Sequence, residues 1–257
     1  MGKLLSSVSL MASLLNGEER VRATLRIPHK RKFDTSVATS ASTTLEKLDR
    51  VIDAEAISVG EVRGYVEKVK FENENDNLGT LIVRKVLYGL ENAITSTVPI
   101  NEGDVMSDVS NYFELSEQTP TLIYVDTDYE KNVSGGILMQ TFPGVSSDVL
   151  NQSKLIINQN KLQITQILKP GGMGPTRDLI KYIFSESELV TINPNDIESY
   201  PVNFHCRHSK QRLIETLKAY GSQVIDELNL IEEPWLNCQY CGAKIHLTKD
   251  DIQFLQK

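Results

Sequence analysis

Four side chains near the C-terminus have the types and spacing of a metal site. Cys206-Arg207-His208 offers a thiol and an imidazole two residues apart, and Cys238-Gln239-Tyr240-Cys241 offers two thiols across a tight turn. A Cys-x-x-Cys turn lets two thiolates bind one ion while neighbouring backbone amides point at the sulfurs. Gly242 supplies backbone freedom where the chain leaves that turn. A second pair on another element completes a tetrahedron. Thiolate and imidazole together suit borderline-soft zinc, so the pattern predicts one zinc ion held by Cys206, His208, Cys238 and Cys241. All 3 cysteines fall at ligand spacing. His205 competes with His208 for the fourth place but stands directly beside Cys206, where simultaneous ligation is awkward. His246 reads as a surface or packing residue. Four protein ligands leave zinc no open position for water, which argues against hydrolytic catalysis.

The rest of the chain carries no competing chemistry. There is no Gly-x-Ser-x-Gly elbow, no His-Glu-x-x-His and no Walker sequence, so an enzyme is not expected. Gly171-Gly172-Met173-Gly174-Pro175 lacks the leading strand and the Gly-Lys-Ser/Thr of a phosphate loop and reads as a hinge. Asp104 and Asp108 form a carboxylate pair by spacing, but acids favour the first helical turn, so the pair reads as a solvated helix start.

Composition narrows the function classes further. The chain has 257 residues, 40% hydrophobic and 24% charged, which is globular and long enough for one large or two small domains. Its formal charge is −7 and its pI is near 5.2. Residues 1–60 carry +2, residues 61–200 carry −9, and residues 201–257 carry 0. No segment forms the basic field that nucleic-acid binding needs, which also argues against a zinc-ribbon nucleic-acid module. No apolar run approaches the roughly 18–20 residues of a membrane helix. Three cysteines are too few for a secreted disulfide framework, and residues 4–15 lack a signal-peptide cleavage site. A reducing compartment, the cytoplasm, is expected.

The elements that must position the metal site follow from periodicity. Leu4, Leu5, Val8, Met11, Leu14 and Leu15 predict an amphipathic helix stopped at Asn16-Gly17. Val21, Ala23, Leu25 and Ile27 alternate with Arg20, Arg22, Thr24 and Arg26 as a half-buried strand. Residues 29–44, basic and then rich in Ser and Thr, read as a surface insertion. From about 51 to 140, β-rich runs alternate with turns, with strands expected at 81–83, 121–125 and 137–139 and one helix at 104–115. Residues 145–200 are polar and mixed, with short helices expected at 146–157 and 176–184. In the last part, Ser209 caps a helix ended by Gly221, Ser222 starts a second, residues 235–237 and 244–247 form strands around a turn, and Thr248 caps a final helix.

Several longer runs resemble the heat shock protein 33 family. They are Gly2-Lys3-Leu4-Leu5, Gly17-Glu18-Glu19-Arg20, Val62-Arg63-Gly64-Tyr65-Val66, Tyr112-Phe113-Glu114-Leu115-Ser116-Glu117-Gln118-Thr119-Pro120 and Gly135-Gly136-Ile137-Leu138-Met139-Gln140. Pro201-Val202-Asn203-Phe204-His205-Cys206 and the Cys238–Cys241 turn close the series in the family's order. The resemblance implies an α+β protein in three parts. Residues 1–144 correspond to a mixed α/β substrate-binding core, 145–200 to a metastable helical linker, and 201–257 to a zinc-binding redox switch. It also implies an ATP-independent holdase chaperone whose partners are unfolded or aggregation-prone client proteins, with homodimerisation on activation. In the family, oxidation of the zinc-bound cysteines expels the ion, the linker unfolds and apolar surface is exposed to clients.

Three departures qualify that implication. The family's second zinc-ligand cysteine is His208 here, so of the two family disulfides only Cys238 with Cys241 can form. Cys206 is then left as a sulfenic acid, a glutathione adduct or an intermolecular disulfide. Cys206, Cys238 and Cys241 remain the redox-active residues. The chain also begins inside the family's first domain, without its opening strand and helix, so an upstream targeting peptide would place the protein in an organelle instead. The Ser/Thr-rich stretch at 33–44 is longer than usual. Linker residues Leu155, Ile156, Ile157, Leu179, Ile180, Ile183 and Phe184 are those expected to become exposed. The alternative is a client- or partner-binding protein in which zinc is purely structural and redox control is weakened or lost.

Overall fold

The computed structural model describes residues 1–28, 49–69, 79–100, 104–142, 144, 147–159, 198–218 and 227–255. The expected insertion at 29–44, the glycine cluster at 171–175, the helix at 176–184 and the helix start at Ser222 lie outside them. The described residues form two compact units, Met1–Phe204 and His205–Lys257.

In the first unit, helix α1 (Gly2–Ala12) buries Leu4, Val8 and Met11 as the apolar spacing requires, and ends three residues earlier than that spacing suggests. Beyond it the chain turns through Gly17 at φ +54°, a left-handed conformation that costs glycine little. Strands β1 (Arg20–Ile27), β2 (Asp49–Ile57), β3 (Glu61–Val69), β4 (Thr80–Val86) and β5 (Ile94–Pro99) follow. With the two-residue β8 (Asn203–Phe204) they make a six-stranded sheet ordered β5-β4-β1-β2-β3-β8. Every pairing is antiparallel except β3 with β8. Strands β6 (Thr121–Asp128) and β7 (Val133–Gln140) form a separate hairpin.

Helix α1 packs against both the large sheet and the β6–β7 hairpin. Its buried side chains join Val21, Ala23, Leu25, Leu81, Val83, Ile123 and Val125 in one core. The opposite face of the central strands is polar. Asp53 on β2 is wholly buried, held by Arg22 Nε at 2.9 Å and by the Thr24 hydroxyl at 2.7 Å. Glu55 accepts from Arg63 Nε at 2.6 Å. Two acids near the interior are tolerated because each has a cation in contact, where an unpaired one would cost several kcal/mol, about 3–5.

The expected helix at 104–115 is two pieces: α2 (Val105–Tyr112) and a π turn over Phe113–Glu117. Asp104 is its N-cap and accepts from the Ser107 amide at 3.4 Å. Asp108, expected to be solvated, is instead 1% exposed, because α2 turns that side inward as well as the Val109 side. The π turn brings the Glu117 carboxylate back to the Tyr112 hydroxyl and to Lys85 Nζ at 2.7 Å. Burial works against Glu117, but Lys85 and Tyr112 outweigh it and hold its carboxyl below the usual range. Helix α3 (Ser147–Gln159) packs against β6, where Ile157 is buried, and a cleft of about 840 Å³ opens between α2, β6 and α3. On α3 the expected latent surface is uneven: Ile157 is covered, while Leu155 is already 62% exposed.

The second unit contains α4 (Lys210–Lys218), the hairpin β9 (Trp235–Asn237) with β10 (Lys244–His246), and α5 (Lys249–Leu255). Among the described residues its core consists of Ile214, Leu247 and Ile252, with Leu217, Leu228 and Leu236 packed partly against them.

Candidate metal centre

Each pair of candidate ligands is set by a local device. Cys206 and His208 lie just ahead of α4, whose start is capped as Ser209 predicts: the Arg212 amide donates to Ser209 Oγ at 3.2 Å. Arg212 also reaches back to the Arg207 carbonyl at 3.2 Å, tying the ligand segment to the helix. Cys238 and Cys241 sit on the turn between β9 and β10. There the Cys238 amide donates to the Ala243 carbonyl at 2.9 Å and the Gly242 amide to the Cys238 carbonyl at 2.8 Å. Gly242 has φ +71°, so the freedom expected of it is used.

The four side chains converge. One donor atom from each of Cys206, His208, Cys238 and Cys241 lies within 4.8 Å of every other, a group that could hold a metal ion. Cys206 Sγ is 2.8 Å from His208 Nδ1 and 3.4 Å from Cys238 Sγ, and Cys241 Sγ is 3.5 Å from the same ring nitrogen. A tetrahedral zinc ion needs sulfurs roughly 3.8 Å apart and sulfur–nitrogen separations of roughly 3.5 Å. The group matches that scale with two adjustments: Cys206 and His208 must part by about 0.7 Å, and Cys206 and Cys238 by about 0.4 Å. Three soft thiol donors and an imidazole fit zinc in kind as well as in size.

His205 is exposed and outside the group, and His246 packs edge-on against Trp235 with ring centroids 5.0 Å apart. All three cysteines are free thiols: Cys238 is buried, Cys206 half-buried and Cys241 exposed. Their protonation is unequal. Burial opposes ionisation of Cys238, but the Cys241 amide, the Cys206 thiol and the Tyr240 amide prevail and lower its pKa. Burial comes first for Cys206 as well; the two neighbouring thiols add to it, and its pKa is pushed up to about 11 although the His208 amide pulls the other way. The knuckle therefore favours its thiolate at the buried sulfur.

A clasp that the sequence only half discloses holds α5 in place. The Thr248 amide and hydroxyl both donate to Asp251 Oδ2 at 2.6 Å, and Lys210 Nζ lies 2.5 Å from the same oxygen. Thr248-x-x-Asp251 is legible as a capping pair. Lys210, at the start of α4, has no sequence signal linking it to α5.

A family model described as Hsp33 protein matches residues 1–248. The 33 kDa chaperonin of Geobacillus sp. (strain WCH70) is 31% identical over 216 residues, covering 77% of this chain and 70% of that protein. The 33 kDa chaperonin of Alkaliphilus metalliredigens is 28% identical over 273 residues, covering 99% of this chain and 84% of that protein. The crystal structure of the 33 kDa chaperonin, heat shock protein 33 homolog, from Thermotoga maritima is similar in fold. Its TM-score is 0.68 at 20% identity, over 99% of this chain and 83% of that one. The family model spans both units and the Cys/His group, and the chain belongs to the Hsp33 family.

Proposed function

We propose that this protein is an ATP-independent holdase chaperone, activated when an oxidant takes the Cys206, Cys238 and Cys241 thiols away from a bound zinc ion. Its family is a chaperone family, not an enzyme class. The observation that carries the reading is the convergence of three thiols and one imidazole in a unit whose core, among the described residues, is Ile214, Leu247 and Ile252.

When bound, zinc would cross-link the segment ahead of α4 to the β9–β10 turn. Formation of a Cys238–Cys241 disulfide takes two electrons and two of the four donors, leaving Cys206 and His208 unable to hold that cross-link alone. Below about 70–80 residues a single core rarely supplies more than about 3–5 kcal/mol, so loss of the clamp unfolds the unit. Residues 145–200 act as the linker between core 1–144 and switch 201–257; loosened, they uncover Ile157 and add it to the already exposed Leu155. Unfolding clients bind that apolar surface, and the active form is a homodimer. The cytoplasm suits a switch held reduced at rest, and no helix among the described residues is long and apolar enough to cross a membrane.

His208 favours a second reading, in which zinc is purely structural and clients or partners bind without redox control, because an imidazole is not removed by thiol oxidation. Light scattering from a heat-unfolding client separates the two. Suppression only by hypochlorite-treated protein supports the switch; equal suppression by reduced, zinc-loaded protein supports the structural reading.

A further inference from the structure

The six-stranded sheet of the first unit ends differently on its two sides. On one side β3 is partly covered by β8 and carries Glu61, Arg63, Glu67 and Lys68. The other side ends on β5, Ile94-Thr95-Ser96-Thr97-Val98-Pro99, which has no charged residue. Among the described residues β4 is the strand partner of β5, and no further hydrogen bond or ion pair reaches it. Sheet edges are ordinarily blunted by charges or cover, and a neutral, uncovered edge is a template for another strand.

The direction of the β5 backbone follows from one bond. The Ile100 amide donates to the Gly79 carbonyl at 2.9 Å, which continues the β4–β5 register beyond Thr80 and Pro99. In an antiparallel pair, residues two apart present their backbone groups to the same side. Val98, Ser96 and Ile94 therefore bond to β4, while the amides and carbonyls of Thr95 and Thr97 point to the open edge. Both threonines are exposed. Ile94 is 47% exposed although it shares a face with the buried Val98. The strand is also nearly a palindrome, since Ile94-Thr95-Ser96-Thr97-Val98 reads alike in both directions apart from the exchange of Ile and Val.

We propose that two copies of this chain join edge to edge through β5, antiparallel and centred on Ser96. This rests on the homodimer of the proposed function and assigns its contact. About that centre Thr95 lies opposite the partner's Thr97 and exchanges an N–H···O bond with it in each direction. The two-fold axis repeats the pair. The threonine side chains share one face, where cross-strand Thr pairs are favourable. On the other face Ile94 meets the partner's Val98 and loses its exposure. Ser96 meets its own copy at the axis as a non-hydrogen-bonded pair, where Cα atoms about 4.5 Å apart suit a small side chain. Pro99, which has no amide, falls at the end of the pairing. Centring on Thr97 would instead set Pro99 against Thr95, so the palindromic register is the one that uses both threonines fully. No thiol or metal donor takes part, so the contact does not depend on which sulfurs an oxidant joins.

Charge exchange across the axis tests this on the full chain after hypochlorite treatment. Sedimentation equilibrium reads the mass, and non-reducing gel electrophoresis removes any disulfide-linked pair from the count. Wild-type protein should associate reversibly from 28.8 kDa towards twice that mass. Thr95→Glu with Thr97→Glu sets carboxylates against each other in both pairs and should leave only monomer. Arg84 faces position 95 from β4, so the monomer accommodates that change. Thr95→Glu with Thr97→Lys sets opposite charges together and should restore the dimer, which separates repulsion across the axis from damage to β5 itself. A dimer in both double variants, or in neither, overturns the inference; the first result still keeps the homodimer. Wild-type protein that stays monomeric also overturns it, and if that monomer suppresses client light scattering, the holdase reading stands without the dimer. Should Thr95→Glu with Thr97→Glu abolish suppression by a monomeric wild type, the edge belongs to extended client segments and not to a second copy. A dimer that follows the charges but suppresses no scattering keeps this contact and removes the holdase reading.

Discussion

The two units of this protein are held together by different means. Met1–Phe204 contains a cluster of eighteen buried apolar side chains drawn from α1, α2 and the turn after it, the large sheet and the β6–β7 hairpin. Among the described residues of His205–Lys257 the corresponding cluster is Ile214, Leu247 and Ile252, beside four converging side chains that could hold a metal ion. A chain segment too short to bury much surface gains stability from a cross-link instead. The larger unit is stabilised by apolar burial, and the smaller would be stabilised by a metal clamp built on thiols that oxidants attack. Thiol chemistry is thus confined to one end of the chain.

Removing the clamp should break the symmetry of the comparison most strongly. A structural zinc site contributes about 10–16 kcal/mol of apparent binding free energy. Chelation of the reduced protein should therefore abolish hydrogen-exchange protection of β9, β10 and α5 while α1 and β1 keep theirs. Equal loss in both units would mean they are not stabilised independently. Phe113→Ala, in the larger core, should cost that unit about 3–5 kcal/mol in denaturant titration and leave bound zinc per chain unchanged. In the smaller unit, Leu247→Ala should cost about 2–5 kcal/mol, read there as weaker zinc binding with no shift in the first unit's transition.

The smallest effects concern the α5 clasp. Thr248→Ala should cost about 1 kcal/mol, read as faster exchange in Lys249–Leu255. Burial raises the Asp251 pKa, but Lys210 and Thr248 outweigh it and bring it from 3.8 to about 2. A carboxyl depressed by folding stabilises the folded form once ionised. Its contribution is thus complete above pH 3.8 and is lost as pH falls towards about 2. Asp251→Asn should flatten the dependence of α5 protection across that interval.

The candidate donors and the elements that carry them were legible because both signals are local. Two residues between thiols make a knuckle whatever the rest of the chain does, and Ser209 and Thr248 act within one turn of their own helices. Strand β1 was legible from its alternation, whereas β2 and β3 were not individually so. The inward side of β2 presents the small Ala54 and Ala56, and its outward side presents Asp53 and Glu55, which read as solvent-facing until Arg22 and Arg63 arrive from neighbouring strands. The π turn after Tyr112 was hidden for a similar reason: Glu117 returns to Tyr112 because Lys85, 32 residues earlier, completes the contact.

The amino-acid sequence by itself determined which four Cys and His side chains come together, their pairing into two segments, the caps and the family, since each depends on residue type and short spacing. Tertiary structure alone decided that Asp108 and Asp53 are interior, that Lys210 reaches α5, and that Cys206 touches Cys238. Those facts depend on which distant segments meet, and side-chain packing sets that only after the local elements have formed.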